Sequence, residues 1–211
     1  MVKSDSPPKT PRAYVSPVRA DTAARTRDRL IESAAQLLRG QEDFRAVSLD
    51  AVAKAAGVTR LTVYNQFGSR RGLLEAVLDE LAVQGGLLRL EAVMGTPDAR
   101  GAIDRLIAVF CDFWGGDVAV QRLNEAAGGD VELADAVRER NERRRHILRV
   151  LVDRHAAGGR ILARARAEAV DLLFGLTGCA MFGALRPGRT PAAVCKLLQR
   201  TGAQVLDGLE A

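Results

Sequence analysis

Residues 59–67 read TRLTVYNQF and follow LDAVAKAAGV, residues 49–58. Each piece has the apolar spacing of a short helix, and Gly57 lies between them. Two short helices joined by a tight glycine-containing turn form a helix-turn-helix. Ser48 stands where a side chain caps the first helix, with Asp50 in its first turn, and Thr59 stands likewise before the second. Leu49, Val52 and Ala56 give the first helix its buried side. Gly57 is the residue type that accepts the left-handed backbone such a turn needs.

The face of the second helix decides its role. At about 100° per residue, Val63 and Phe67 share one side and mark it as core. Leu61 and Asn65 point the opposite way, flanked by Thr62 and Tyr64. Arg60 is nearer the core by angle, but in the first turn its long side chain reaches outward. This outward set suits a DNA major groove. Asn pairs with adenine, Arg with guanine, and an apolar group packs on the thymine methyl. Hydroxyls and the helix N-terminus suit phosphate. One alternative stays open for Leu61, that it packs on an element elsewhere in the chain.

Charge supports a polyanion partner for this part of the chain. The 211 residues carry a net charge of +5, but residues 1–71 hold 13 Lys or Arg against seven Asp or Glu. The remainder holds 18 against 19, so the whole excess lies in the first third. Residues 1–22 contain four of the seven prolines and are predicted to be a flexible basic arm. A helix is predicted from Asp21 to Arg39, with Leu30, Ile31, Ala34, Leu37 and Leu38 on one face and Gly40 as its stop. Another, capped by Ser69, carries Leu73, Leu74, Val77, Leu78 and Leu81.

The set "TRDRLIESAAQLL…VSLDAVAKAAGVTRLTVYNQFGSRRGLLEAV" resembles the DNA-binding region of the tetracycline-repressor (TetR) family of transcriptional regulators. The resemblance covers roughly residues 25–81 and includes the specific pattern VTxxTxYxxFxSxxxLL. It implies an all-α fold with an N-terminal three-helix helix-turn-helix domain and a C-terminal helical domain that binds a ligand and dimerises. The boundaries expected are 23–70 and 71–211. It further implies a homodimer on a palindromic double-stranded DNA operator. In that mapping Ser48 and Thr59 are cap and phosphate groups, and Arg60, Leu61, Thr62 and Asn65 read bases. Tyr64 and Arg70 contact phosphate, and Arg25 and Thr26 touch the backbone. Two departures stand out: Arg70-Arg71 replaces a common Lys-Glu, and Leu61 stands where a small residue or Pro is frequent.

The rest of the chain resembles the family in being helical and of suitable length. Helices are predicted near 99–114, 118–126, 131–155, 162–185 and 191–209, punctuated by Gly and Pro. Gly175, Cys179 and Gly183 form a small-residue stripe. Val194, Leu197, Leu198, Val205 and Leu209 give the last helix an apolar face. Two such helices per chain suit a four-helix dimer interface, with packing inside one chain as the alternative. An effector pocket for a small apolar or amphipathic ligand would draw on Phe110, Phe113, Trp114 and Phe174, with His146 and Thr177 for polarity. The basic run RERNERRRHILRV reads as a solvated helix face, or as a site for an acidic ligand that Glu139 and Glu142 oppose.

Enzymatic chemistry is not expected. Two histidines in 211 residues leave little acid-base capacity near neutral pH. No Ser-His-Asp set, Cys-His pair, phosphate loop or metal-spaced cluster appears, so no cofactor or metal is assigned. A DNA-binding protein without sequence preference is the remaining competitor. Cys111, Cys179 and Cys195 are far apart and read as reduced thiols. The N-terminus has no signal-peptide core and no apolar run reaches a membrane span, so a cytoplasmic protein without membrane contact is expected.

Overall fold

The structure, a computed structural model, describes residues 17–40, 47–158 and 161–210. Among the described residues there are eleven α-helices and no strand. The first four are α1 (Pro17–Gly40), α2 (Leu49–Ala56), α3 (Arg60–Phe67) and α4 (Arg70–Gln84). A 3-10 turn at Leu87–Arg89 leads into α5 (Leu90–Met94), then α6 (Ala99–Gly116), α7 (Val118–Ala126) and α8 (Val131–His155). The chain closes with α9 (Ala163–Leu176), α10 (Cys179–Leu185) and α11 (Pro191–Glu210).

Side-chain caps set most of these boundaries. Ser48 accepts from the Ala51 N–H at 3.1 Å, Thr59 from Thr62 at 3.2 Å and Ser69 from Gly72 at 3.0 Å. Asp98, Asp117 and Asp130 do the same for α6, α7 and α8. Each satisfies a backbone donor that the helix leaves unpaired, an effect of ~1 kcal/mol. Gly57 closes α2 at φ 65, which turns the chain directly into the Thr59 cap.

Helix α1 packs on α2, α4 and α7, while α4 packs on α1, α3 and α8. Helix α4 therefore touches both halves of the molecule. In the C-terminal half α6 is the central element. Ile103, Leu106, Ile107, Phe110, Phe113 and Trp114 are all buried, against α5, α7, α8 and α11. At Gly202 of α11 an added Cβ would stand 2.6 Å from Ile107 Cδ1, so a larger residue at this crossing would require the end of the Ile107 side chain to shift.

Three expectations change. Residues 17–22 belong to α1 rather than to an irregular arm, because Pro17 sits at the first helical position, where its missing N–H is not needed. Residues 1–16 lie outside the described residues. The single helix expected at 162–185 is two helices bent by 56°. The break is at Thr177, whose carbonyl accepts from Trp114 Nε1 (2.9 Å) and an Arg144 guanidinium nitrogen (2.8 Å). Those side-chain donors replace the backbone donor that would continue the helix. The 3-10 turn and α5 were not anticipated, because residues 85–98 are rich in Gly, Leu and Pro punctuation.

The apolar face of the last helix is largely internal. Val194, Leu198, Leu206 and Leu209 are buried against the same chain, with Leu197 and Val205 half-buried. The small-residue stripe behaves differently: Gly175 and Gly183 are exposed, with nothing within 4 Å of an added Cβ. No single helix among the described residues is long and apolar enough to cross a membrane.

Candidate functional site

Helix α3 holds itself by one side only. Val63 is fully buried and Phe67 is half-buried, with the Arg27 guanidinium 4.5 Å above its ring. Arg27 also donates to the Gln66 carbonyl, which ties α1 to the end of α3. Opposite Val63, Leu61 is 65% exposed and Tyr64 56%. Asn65 is exposed beside them. At that exposure Leu61 is not core, and that alternative falls away.

The remaining residues of this face are arranged locally. The Thr62 hydroxyl meets the Thr59 hydroxyl at 2.9 Å. Arg60 pairs with Asp50 at 3.0 Å, both side chains exposed. An exposed pair of this kind contributes at most about 1 kcal/mol, so Arg60 can exchange Asp50 for a stronger partner. Ser48 is half-buried in its cap. On α1, Arg25 is exposed and pairs with Asp21, and the Thr26 hydroxyl donates to the Thr22 carbonyl.

Arg70, expected on phosphate, meets carboxylates in the DNA-free chain. Its guanidinium donates to Asp130 at 2.7 Å and to Glu132 at 3.4 Å, at the start of α8. Burial alone would raise Asp130. The Leu133 and Glu132 N–H groups and the Arg70 pair outweigh it and hold that carboxyl below its ordinary value. Arg71 pairs with Glu75, Asp135 and Glu139. The positive charge at the start of α4 is thus matched by carboxylates of α8, a pairing that linear charge counting could not reveal.

A second tie joins the halves. Arg39, in the last turn of α1, pairs with Asp117 at 2.7 Å, and Arg122 donates to the Leu38 and Arg39 carbonyls. Asp117 is lowered: burial opposes this, but the Arg39 hydrogen bond, the Ala119 N–H and the Arg39 charge prevail. Arg140 of α8 forms an ion pair with Asp79 and donates to the Glu75 carbonyl, both on α4.

Between α4, α6 and α8 lies a cavity of about 320 Å³. Leu78, Ala82, Leu87, Leu90 and Ile147 line it with Phe110, Phe113 and Trp114. Phe113 and Trp114 are in ring contact at 4.6 Å. A neighbouring cavity of about 540 Å³ is lined by Phe174, Glu125, Cys179 and Met181, among others. Asn124, Asn141 and Arg144 line both. Phe110, Phe113, Trp114 and Phe174 thus face cavities. Thr177 is buried behind them, its hydroxyl donating to the Leu173 carbonyl. His146 is on the exposed side of α8 and lines neither cavity.

Arg144 lies in the basic run that the sequence leaves open between a solvated helix face and an acidic-ligand site. It is 6% exposed, and its guanidinium lies 4.4 Å from the Phe174 ring, 5.4 Å from Phe110 and 6.0 Å from Trp114. Burial pushes it down to about 10, so it remains charged at neutral pH. Burying an unpaired ion costs several kcal/mol, and cation–π contacts return ~0.5–2 kcal/mol each. A signal for it existed. Leu133, Val137, Arg140, Arg144, Leu148 and Leu151 recur at three- and four-residue steps, so both arginines fall on the inward stripe of α8. The thiols are unlike reactive ones: burial raises Cys111 and Cys195 and takes Cys179 up to about 11.

Residues 30–77 match the family model described as bacterial regulatory proteins, tetR family. The HTH-type transcriptional regulator AlkX of Mycobacterium tuberculosis (strain ATCC 25618 / H37Rv) is 40% identical over 78 residues. That match covers 35% of this chain and 36% of AlkX, about a third of the relative's length. The fold is similar to that of transcriptional regulator FadR from Bacillus subtilis in complex with stearoyl-CoA. The TM-score is 0.68 at 16% identity, over 84% of this chain and 98% of that one. It is also similar to a regulator from Saccharomonospora viridis in complex with choline. There the TM-score is 0.60 at 15% identity, over 84% and 95%.

Proposed function

We propose that this chain, which belongs to the tetR family of bacterial regulatory proteins through residues 30–77, is a repressor that a small-molecule effector releases from a palindromic operator. The observation that carries the reading is the α3 face, where Leu61, Tyr64 and Asn65 stand in solvent opposite a fully buried Val63. A soluble helix exposes such a set at little gain unless a partner covers it. A major groove satisfies each residue: amide for adenine, guanidinium for guanine, leucine for the thymine methyl. Arg60, Leu61, Thr62 and Asn65 are the proposed base readers. Ser48, Thr59, Tyr64, Arg25 and Thr26 are the proposed backbone contacts.

The second element is a homodimer that holds two α3 helices ~34 Å apart, one DNA turn. Its support is the exposed stripe of Leu172, Gly175, Met181 and Gly183 on α9 and α10. Coupling to the effector follows from α4. Leu78, Asp79 and Ala82 of this helix line the cavity, and its first residue lies three positions after the end of α3. A ligand that binds more tightly when α4 and α8 are farther apart shifts α3 with α4 and lowers DNA affinity. The solved structures of this fold hold ligands of opposite charge, stearoyl-CoA and choline. The residues lining the cavity, not the fold, therefore select the effector.

The test is a binding-site selection on random duplexes, followed by footprinting at physiological salt. A palindromic consensus bound by a dimer, with Asn65→Ala relaxing one position, is the expected result. Binding to all duplexes alike would overturn the reading in favour of a non-selective DNA-binding protein.

A further inference from the structure

We propose that the effector is an amphipathic anion, with an apolar body in the cavity between α4, α6 and α8 and a carboxylate bound by Arg144. The inference rests on the reading of that cavity as the effector site and adds the sign and position of the ligand's charge. Three arginines line the cavity. Arg140 is engaged with Asp79 and the Glu75 carbonyl, and Arg143 is exposed. Arg144 differs from both. It is nine-tenths buried, one guanidinium nitrogen donates to the Thr177 carbonyl, and its Nε has no hydrogen-bond partner. No carboxylate of the described residues forms an ion pair with it.

A charge held among three aromatic rings has lost most of its hydration. A carboxylate arriving there forms charge-assisted hydrogen bonds in a water-poor setting, where they are strongest. Asn124 and Asn141 line the same junction and offer amide donors to the anion. The rest of the cavity is Leu, Ile, Ala and aromatic, which suits an unbranched or ring hydrocarbon. A cationic headgroup meets the opposite situation. Asp79, the carboxylate in this lining, is already paired with Arg140, so the site presents net positive charge.

Trp114 is the chain's single tryptophan and lines the cavity, so its fluorescence reports occupancy without DNA. The experiment titrates the full chain with decanoate, decanol and decyltrimethylammonium at neutral pH. Decanoate is expected to bind about tenfold to a hundredfold tighter than decanol, with the ammonium compound weakest. Arg144→Met should erase the difference between acid and alcohol, with cooperative thermal unfolding retained. Equal or tighter binding of decanol to the unaltered chain would overturn the proposal, as would no binding of any of the three. The same holds if Arg144→Met keeps the preference for the acid. Operator release is read separately. Release by decanol and decanoate alike leaves the repressor reading standing and removes this one. Arg144-dependent decanoate binding that leaves the operator complex intact does the reverse.

Discussion

Leu61 and Arg144 each stand on the side of the protein surface that their chemistry disfavours. Leu61 is 65% exposed at the start of α3, and Arg144 is 6% exposed in the middle of α8. The two positions differ in what they cost. An exposed leucine is common and forfeits only the burial it might have gained. A buried guanidinium must be offset by its surroundings, here three rings and one carbonyl. The difference teaches where each site keeps its readiness for a partner. The α3 face, proposed to meet DNA, keeps it as uncovered groups in water, and the cavity keeps it as a charge already stripped of water.

The sharpest way to break the comparison is to put a charge in the core of α3. Val63→Arg puts a guanidinium at a fully buried position, so it should cost ~3–5 kcal/mol and unfold the N-terminal helices. Circular dichroism with urea titration would show it. Tolerance of that change would mean that Arg144 needs no special surroundings. Asn65→Ala should leave stability unchanged but cost ~1–3 kcal/mol on the selected operator, with relaxed preference at one base pair. An effect equal on all duplexes would assign Asn65 to the backbone instead.

Arg144→Met removes the charge and keeps the volume, so the unliganded protein should be as stable as before or more stable by about 1 kcal/mol. The Thr177 carbonyl keeps its bond from Trp114. A marked fall in Tm would show that Arg144 braces the α9–α10 bend rather than waiting for a ligand. Leu61→Ala should weaken the operator complex by about 0.8 kcal/mol for each buried methylene lost at a thymine methyl. Stability should stay within about 0.5 kcal/mol.

The smallest effects are expected from acid. Asp117 and Asp130 both lie below their ordinary value in the folded chain. A group with a depressed folded value stabilises fully above its unfolded value, ~3.9, and loses that contribution as pH falls through the folded one. The ties of α1 to α7 and of α4 to α8 should therefore weaken below about pH 4, by ~1 kcal/mol or less each. Asp117→Asn with Asp130→Asn should flatten the fall of Tm with acid over that range. An unchanged slope would remove both ties from the coupling between the halves.

The local parts of the fold were legible in the residues themselves. Ser48, Gly57, Thr59 and Ser69 act on backbone groups within three or four positions, so their spacing alone placed α2, α3 and α4. The outward direction of Leu61 followed from helical periodicity and the buried Val63. The same locality misled at residues 162–185, because the break at Thr177 is made by Trp114 and Arg144, 63 and 33 positions away.

What the sequence by itself determined is the set of helices at the N-terminus and the face that one of them shows to solvent. Both depend on interactions a few residues long. Only the tertiary structure decided the partners of the charges. Arg70 and Arg71 lie close to α3 in sequence, but folding sets them against Asp130 and carboxylates of α8. Arg144 lies in a run of basic residues that reads as a wet surface, and packing of α6, α8 and α9 left it dry. Electrostatic pairing acts through space between distant segments, so no local pattern carries it.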